Sequence, residues 1–367
     1  MSVTSDPLAV RGAEAAAKLA LLREALAQLG AGAIRLRGED WFAWATAGGT
    51  PLPPSSCESG AAGLLVTPEE ACVLTDEVEV ERLRQEEVPP GFTFHIVPWT
   101  EPELHDTYVV AAAGARPVLS DRAVHAEQAL PASLRLRRMV LDAGEQQRYR
   151  ALGRAAAEAI GEVLRAARPE WTEYELAGEG ARALLRRGIE PALVLAAGER
   201  RLAQWRRPTP SHEAIGARAS LSCCARRHGL VARLSRSVSF GAAPAQQDAL
   251  LQVEATGLDA VRPGQSLAAV YHAFDAAYRH ANRPDAIRER RQGGIAGYQA
   301  CELAASPSTA TGLETGMAFA FNPGVDGIGI EDTFLLGPNG LENLTLDPQW
   351  PATDIAGRVR PLWLEST

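Results

Sequence analysis

From Ala143 onward the chain reads helix, helix, strands, helix, helix, strands, and few architectures accept that order. EQQRYRALGRAAAEAIGEVLRAA carries the apolar spacing of a long amphipathic helix. RPEWTEYELAGEGARALLRRG reads as a second helix, with Thr172 placed to cap its start and Gly188 to end it. LVLAAG and ASLSCCARRHGLVARLSRSVSFG read as strands, and His228-Gly229 falls at an exposed turn between two of them. Helices over APAQQDALLQVEATGLDAV and PGQSLAAVYHAFDAAYRHAN follow, and then strand-like MAFAFNPGV, GIGIEDTFLLG and GLENLTL. Helix pairs enclosing antiparallel strands make an α+β domain. The two segments RPEWTEYELAGEGARALLRRG and VRPGQSLAAVYHAFDAAYRHAN share a proline, a polar cap and a long helix, an echo that a pseudo-twofold unit would show.

Before that point the pattern differs. Residues 12–29 are Ala/Leu-rich and helical, and short apolar strands then alternate with turns to about residue 142. This is a compact α/β unit. A length of 367 residues suits two domains, 1–142 and 143–367.

Composition excludes several classes. A formal net charge of -8 argues against nucleic acid as a partner, which calls for a basic surface. The arginine pairs Arg200-Arg201 and Arg206-Arg207 read as solvated loop or helix-end residues. There is no basic region followed by an apolar leader core, and no apolar run long enough to span a membrane. The five cysteines (Cys57, Cys72, Cys223, Cys224, Cys301) are odd in number and irregularly spaced, so they do not suggest a disulfide framework. A reducing cytoplasm is the expected location.

Four segments in the C-terminal half share an order and spacing. LSCCARRHGLVARLSRSVSFG (221–241) holds Gly229, Ser235, Arg236, Ser237 and Gly241 in frame. RRQGGIAGYQACE (290–302), LETGMAFAFNPG (313–324) and GIGIEDTFLL (327–336) follow. Over about 220 residues the chain resembles the creatinase/prolidase/methionine-aminopeptidase family with its pita-bread fold. The N-terminal unit, with WFAWATAGG, resembles the smaller domain of creatinases and prolidases. The resemblance implies an α+β protein of two domains: a small creatinase-like α/β domain and a C-terminal pita-bread domain. It also implies a homodimer.

The family binds two metals with two Asp, one His and two Glu. Here the first Asp position is Ser222 and the second, eleven residues on, is Arg233. The metal His position falls near Gly294, with Gln292 the closest polar group. A second His position, just before Glu302, holds Cys301. One Glu position holds Asn322, and only Glu331 is kept. Divalent metals of this class need carboxylates and imidazole, and a guanidinium in their place repels a cation. The expectation is a site without metal or other cofactor, in which Arg233 pairs with Glu331 and Asp332 orients its neighbour.

Creatinase is the family's precedent for catalysis without metal, through a His on the loop before the first hairpin strand. Here that position falls at Trp205 to Arg207, and His212 lies a few residues downstream. Candidate catalytic groups are therefore Glu331, Arg233, His212 and Cys301. Candidate substrate contacts are Arg207, Ser222, Gln292, Tyr298, Asn322 and Trp44. Two functions stay open. One is a repurposed, metal-independent enzyme acting on a small carboxylated, peptide-like or guanidino substrate. The other is an inactive pseudo-peptidase that binds a ligand or a protein.

Overall fold

The computed structural model describes residues 7–51 and 61–366, so Cys57 lies outside the described residues. The chain divides into two compact units, the first ending at Arg138 and the second beginning at Met139.

In the first unit, helix α1 (Pro7–Leu29) buries Ala15, Leu19, Leu22 and Leu26, one stripe at helical spacing. A six-stranded sheet runs in the order β4-β3-β2-β1-β5-β6. Its strands are β1 (Ala33–Leu36), β2 (Gly63–Val66), β3 (Ala71–Asp76), β4 (Thr93–Val97), β5 (Val118–Ser120) and β6 (Gln128–Ala129). β1 and β2 pair antiparallel, and β1 and β5 parallel. Between β1 and β2, helix α2 (Glu39–Ala45) turns Trp41 and Trp44 inward, edge to face at 5.5 Å. Trp44 is 2% exposed, so its indole is core in this unit.

The second unit opens with helices α3 (Ala143–Ala166) and α4 (Glu173–Leu185), each begun by a capping box. Asp142 pairs with Glu145 in the first and Thr172 with Glu175 in the second, satisfying otherwise orphaned N–H groups. Gly188, at φ 66°, follows the second helix as expected. Strands β7 (Glu190–Gly198), β8 (Arg218–Arg227) and β9 (Leu230–Phe240) form an antiparallel sheet. His228 and Gly229 both take positive φ in the two-residue turn between β8 and β9, the primed geometry that matches strand twist. Helices α5 (Gln247–Asp259) and α6 (Leu267–His280) come next, the latter capped by Ser266. The echo between the two halves is carried by their caps. Thr172 bridges to Ala214, and Ser266 bridges to Gly312.

A second sheet runs β11-β10-β12-β15-β16. Its strands are β10 (Gly293–Ala296), β11 (Leu303–Ala304), β12 (Ala318–Phe321), β15 (Asp332–Gly337) and β16 (Gly340–Asn343). A small hairpin, β13 (Gly324–Val325) and β14 (Ile328–Gly329), joins β12 to β15. Phe274, Phe319, Phe321 and Phe334 lie in the core between this sheet and its helices.

The two sheets are stitched at β9. The Ser235 N–H donates to the Glu331 carbonyl at 2.9 Å, and the Arg233 N–H to Thr333 Oγ1 at 2.8 Å. Thr333 Oγ1 donates back to the Arg233 carbonyl at 2.9 Å. These bonds fix the site, because they bring Arg233 and Glu331 face to face. Among the described residues, no helix is long and apolar enough to cross a membrane.

Candidate functional site

A cavity of about 990 Å³ opens in the second unit over β8, β9 and the β12–β15 segment. That is ample for a small molecule or a short peptide. Alternate residues of β8 and β9 supply most of its polar lining, with Cys223 also reaching it. On β8, Ser220, Ser222 and Cys224 point into the cavity, and on β9, Arg233 and Ser235 do. Ser222 Oγ donates to Ser235 Oγ at 2.9 Å.

At the floor, Arg233 and Glu331 form a close ion pair, each nearly buried. Arg233 Nη1 also donates to the Ala300 carbonyl at 3.2 Å. Burial works against the charge of Arg233, but Glu331 and the nearby thiols hold the guanidinium protonated above its ordinary value. The contact is ionic rather than a well-aligned hydrogen bond, since Glu331 Oε1 receives no correctly angled donor.

Behind the same strands lies a second charge cluster, sealed from the cavity. Arg236 Nη2 donates to Asp332 Oδ1 at 2.8 Å, and Arg360 Nη2 to Asp332 Oδ2 at 2.7 Å. Arg360 grips Glu254 through Nε at 2.7 Å and Nη2 at 2.6 Å. Thr345 Oγ1 donates to Asp332 at 2.7 Å. Asp332 is thus tied to Arg236 and Arg360 on this sealed side, while Glu331 faces the cavity.

The cavity walls are rich in arginine. Arg206, Arg207, Arg233, Arg290 and Arg291 line it against the carboxylates Glu289, Asp326 and Glu331. Arg206 pairs with Glu289, and Asp326 with Arg283. Arg290 donates Nη1 to the carbonyls of Asn322 and Pro323, at 3.0 and 3.2 Å. Burial, and then the charge of Arg206, bring its pKa down to about 10.

Trp44, expected as a substrate contact, is instead core of the first unit, and the other sequence-derived candidates divide into three groups. Arg207, Ser222, Arg233, Cys301, Asn322 and Glu331 line the cavity together. Asn322 Oδ1 is shielded there and has no hydrogen-bond partner. Cys301 is open to solvent as a residue, yet its thiol is crowded enough that burial, above all, raises its pKa. Gln292 and Tyr298 instead serve the framework. Gln292 accepts from Tyr278 Oη at 3.0 Å, and Tyr298 donates to Glu145 at 2.6 Å. His212 sits outside, exposed and packed edge-on against Tyr174 at 4.8 Å. Among the described residues, no histidine lines the cavity. Arg206, Arg290 and Arg291 line it and were passed over in the sequence. In sequence an arginine pair reads as solvated charge, so nothing there marks these residues as cavity lining.

A family metal centre does not fit these donors. The wall offers one carboxylate at the expected positions, and it already pairs with Arg233. Gly294 cannot hold an imidazole either, because a Cβ built there would lie 2.0 Å from the Leu303 carbonyl oxygen. The strand β11 fills the space a side chain would need.

No curated protein matches the chain in sequence. The profile of Metallopeptidase family M24 matches residues 147–338. The chain therefore belongs to that family, in agreement with the creatinase/prolidase resemblance. Its fold is similar to the prolidase from Pyrococcus horikoshii, with a TM-score of 0.77 at 16% identity, covering 90% of this chain and 98% of that one. The dipeptidase PepE from Mycobacterium ulcerans matches at 0.76 and 19% identity, covering 96% and 98%. The N-terminal domain of the FACT complex subunit SPT16 from Cicer arietinum matches at 0.68 and 14%, covering 91% and 96%. The expected α+β, two-domain architecture agrees with these neighbours.

Proposed function

We propose that this protein is a metal-independent member of the family whose cavity binds a small carboxylated, peptide-like or guanidino ligand. The observation that carries this reading is the Arg233–Glu331 ion pair at the floor of an open, polar cavity. A guanidinium placed where metal charge is otherwise held supplies fixed positive charge without a metal, and it is pre-organised by the Ala300 carbonyl and by its partner. If a reaction occurs, Glu331 is the group placed to move a proton, with Arg233 balancing its charge. A homodimer and a cytoplasmic setting go with this reading.

The test starts with metal content, measured on protein purified without chelators and again after incubation with Mn, Zn and Co. The expected result is no stoichiometric metal and no metal-stimulated hydrolysis of Xaa-Pro dipeptides. Tight metal binding that disappears in Glu331→Gln would overturn the reading. Light scattering tests the dimer.

A second reading is a binding module without turnover. It is favoured by the lack of a cavity histidine among the described residues and by the raised pKa of the Cys301 thiol, which leave few groups to act as base or nucleophile. Ligand-induced thermal shifts with no product under single-turnover conditions would select it.

A further inference from the structure

We propose that Arg290 is the anchor of an oxyanion-binding subsite, distinct from the Arg233–Glu331 pair, that receives a carboxylate or phosphate head group of the ligand. This inference rests on the cavity being a ligand site, and it adds the class of group the ligand must carry.

Four observations carry it. First, Arg290 is held in place as a built feature. Its guanidinium lies over Gly324 and Gly329, where a Cβ at Gly324 would come within 2.4 Å of Cζ, and a Cβ at Gly329 within 2.8 Å of Nη1. Nη1 is spent on the two carbonyls of Asn322 and Pro323. Second, no carboxylate pairs with Arg290 among the described residues, while its Nε is buried without a partner. Arg290 is half-buried with its Nε shielded, whereas the more deeply buried arginines of this unit, Arg233, Arg236 and Arg360, each have an acidic partner. A cation left unpaired in such a place is costly. Third, the surroundings add to the excess. Arg206 and Arg207 act on Arg290 as like charges, and Arg206 has Glu289 as its own partner. Arg207 and Arg291 line the same wall without a carboxylate partner among the described residues. Fourth, burial and then the like charge of Arg206 lower the pKa of Arg290 although Tyr278 and Glu331 pull the other way, and a bound anion supplies further opposite charge to offset them. An oxyanion at the free Nη2, with Arg207 alongside, supplies the missing negative charge through charge-assisted hydrogen bonds. No covalent step is involved.

The probes are succinate, glutarate and inorganic phosphate, titrated against the full chain at constant ionic strength, with thermal shift and calorimetry as readouts. The wild type should show saturable stabilisation. Preference for the dicarboxylates assigns the head group to a carboxylate, and preference for phosphate assigns it to a phosphate. Arg290→Gln should weaken binding at least tenfold while leaving the melting temperature without anion equal or higher, since an uncompensated cation is removed. Gly329→Ala tests the cradle. It displaces the guanidinium without other close contacts, so it should weaken binding several-fold and have no added effect in the Arg290→Gln background. Arg154→Gln, on an exposed helix face, should bind as the wild type does. Equal anion binding by wild type and Arg290→Gln overturns the subsite, as does a wild type without saturable response. Stoichiometric metal, by contrast, overturns the metal-free reading and leaves this titration standing.

Discussion

Glu331 and Asp332 are neighbours in sequence, yet they serve opposite kinds of charge cluster. Asp332 is fully buried, shared by Arg236 and Arg360, and bonded to Thr345, with Glu254 closing the far side. Acids and bases balance there, two against two. Glu331 meets Arg233 at the floor of a cavity in which arginines outnumber acids. The sealed cluster is balanced within the chain, and the open one is not, as the proposed ligand site requires. Balance, rather than burial alone, distinguishes a structural charge network from a binding wall.

The most severe way to break the contrast is on the sealed side. Asp332→Ala leaves two buried guanidinium groups short of a partner and should cost about 3–5 kcal/mol, read from urea unfolding. Gly294→His should come next, at about 3 kcal/mol, the upper end of overpacking, because the imidazole has no room beside β11. It should also fail to create metal affinity, which isothermal titration with Zn or Mn will show. On the open side the effect is smaller. Glu331→Ala should cost about 1–2 kcal/mol, because water in the cavity re-solvates Arg233. The double variant Arg233→Met/Glu331→Leu should recover most of that loss, with the difference given by a double-mutant cycle.

The mildest probe is pH. Burial pushes the Asp332 carboxyl up, but Arg236 and Arg360 hold it below the ordinary 3.8. Its stabilisation is therefore present above the unfolded value and is lost as pH falls through the lower folded one. Glu254 runs the other way. Burial raises it above its ordinary 4.5 despite Arg360, so its contribution is full below that value and fades as pH rises through the raised folded one. Urea midpoints should hold or rise slightly as pH falls from 7 toward 4.5, and drop only below about 3.8. Asp332→Asn should remove that final drop.

Much of this was legible in the sequence. The cap Thr172, the stop at Gly188 and the hairpin turn at Gly229 are local signals, and local chemistry determines them. The pairing of Arg233 with Glu331 followed from the family frame. The framework roles of Gln292 and Tyr298 could not be read, because they depend on tertiary contacts, with Tyr278 on α6 and with Glu145 far back in the chain. His212 was drawn in by its nearness along the chain to the expected catalytic loop, and packing against Tyr174 holds it elsewhere. Arg290 was invisible for a related reason. An arginine beside another arginine looks solvated until the backbone of Gly324 and Gly329 is seen to lie under it.

The bond from the Ser235 N–H to the Glu331 carbonyl has a last consequence. It is made by main chain, so it holds the two sheets together whatever side chains stand at either position. Side chains at these two positions can therefore change while this bond stays, with Thr333 supplying the rest of the seam. A scaffold joined this way tolerates loss of one activity and trial of another without passing through an unfolded ancestor.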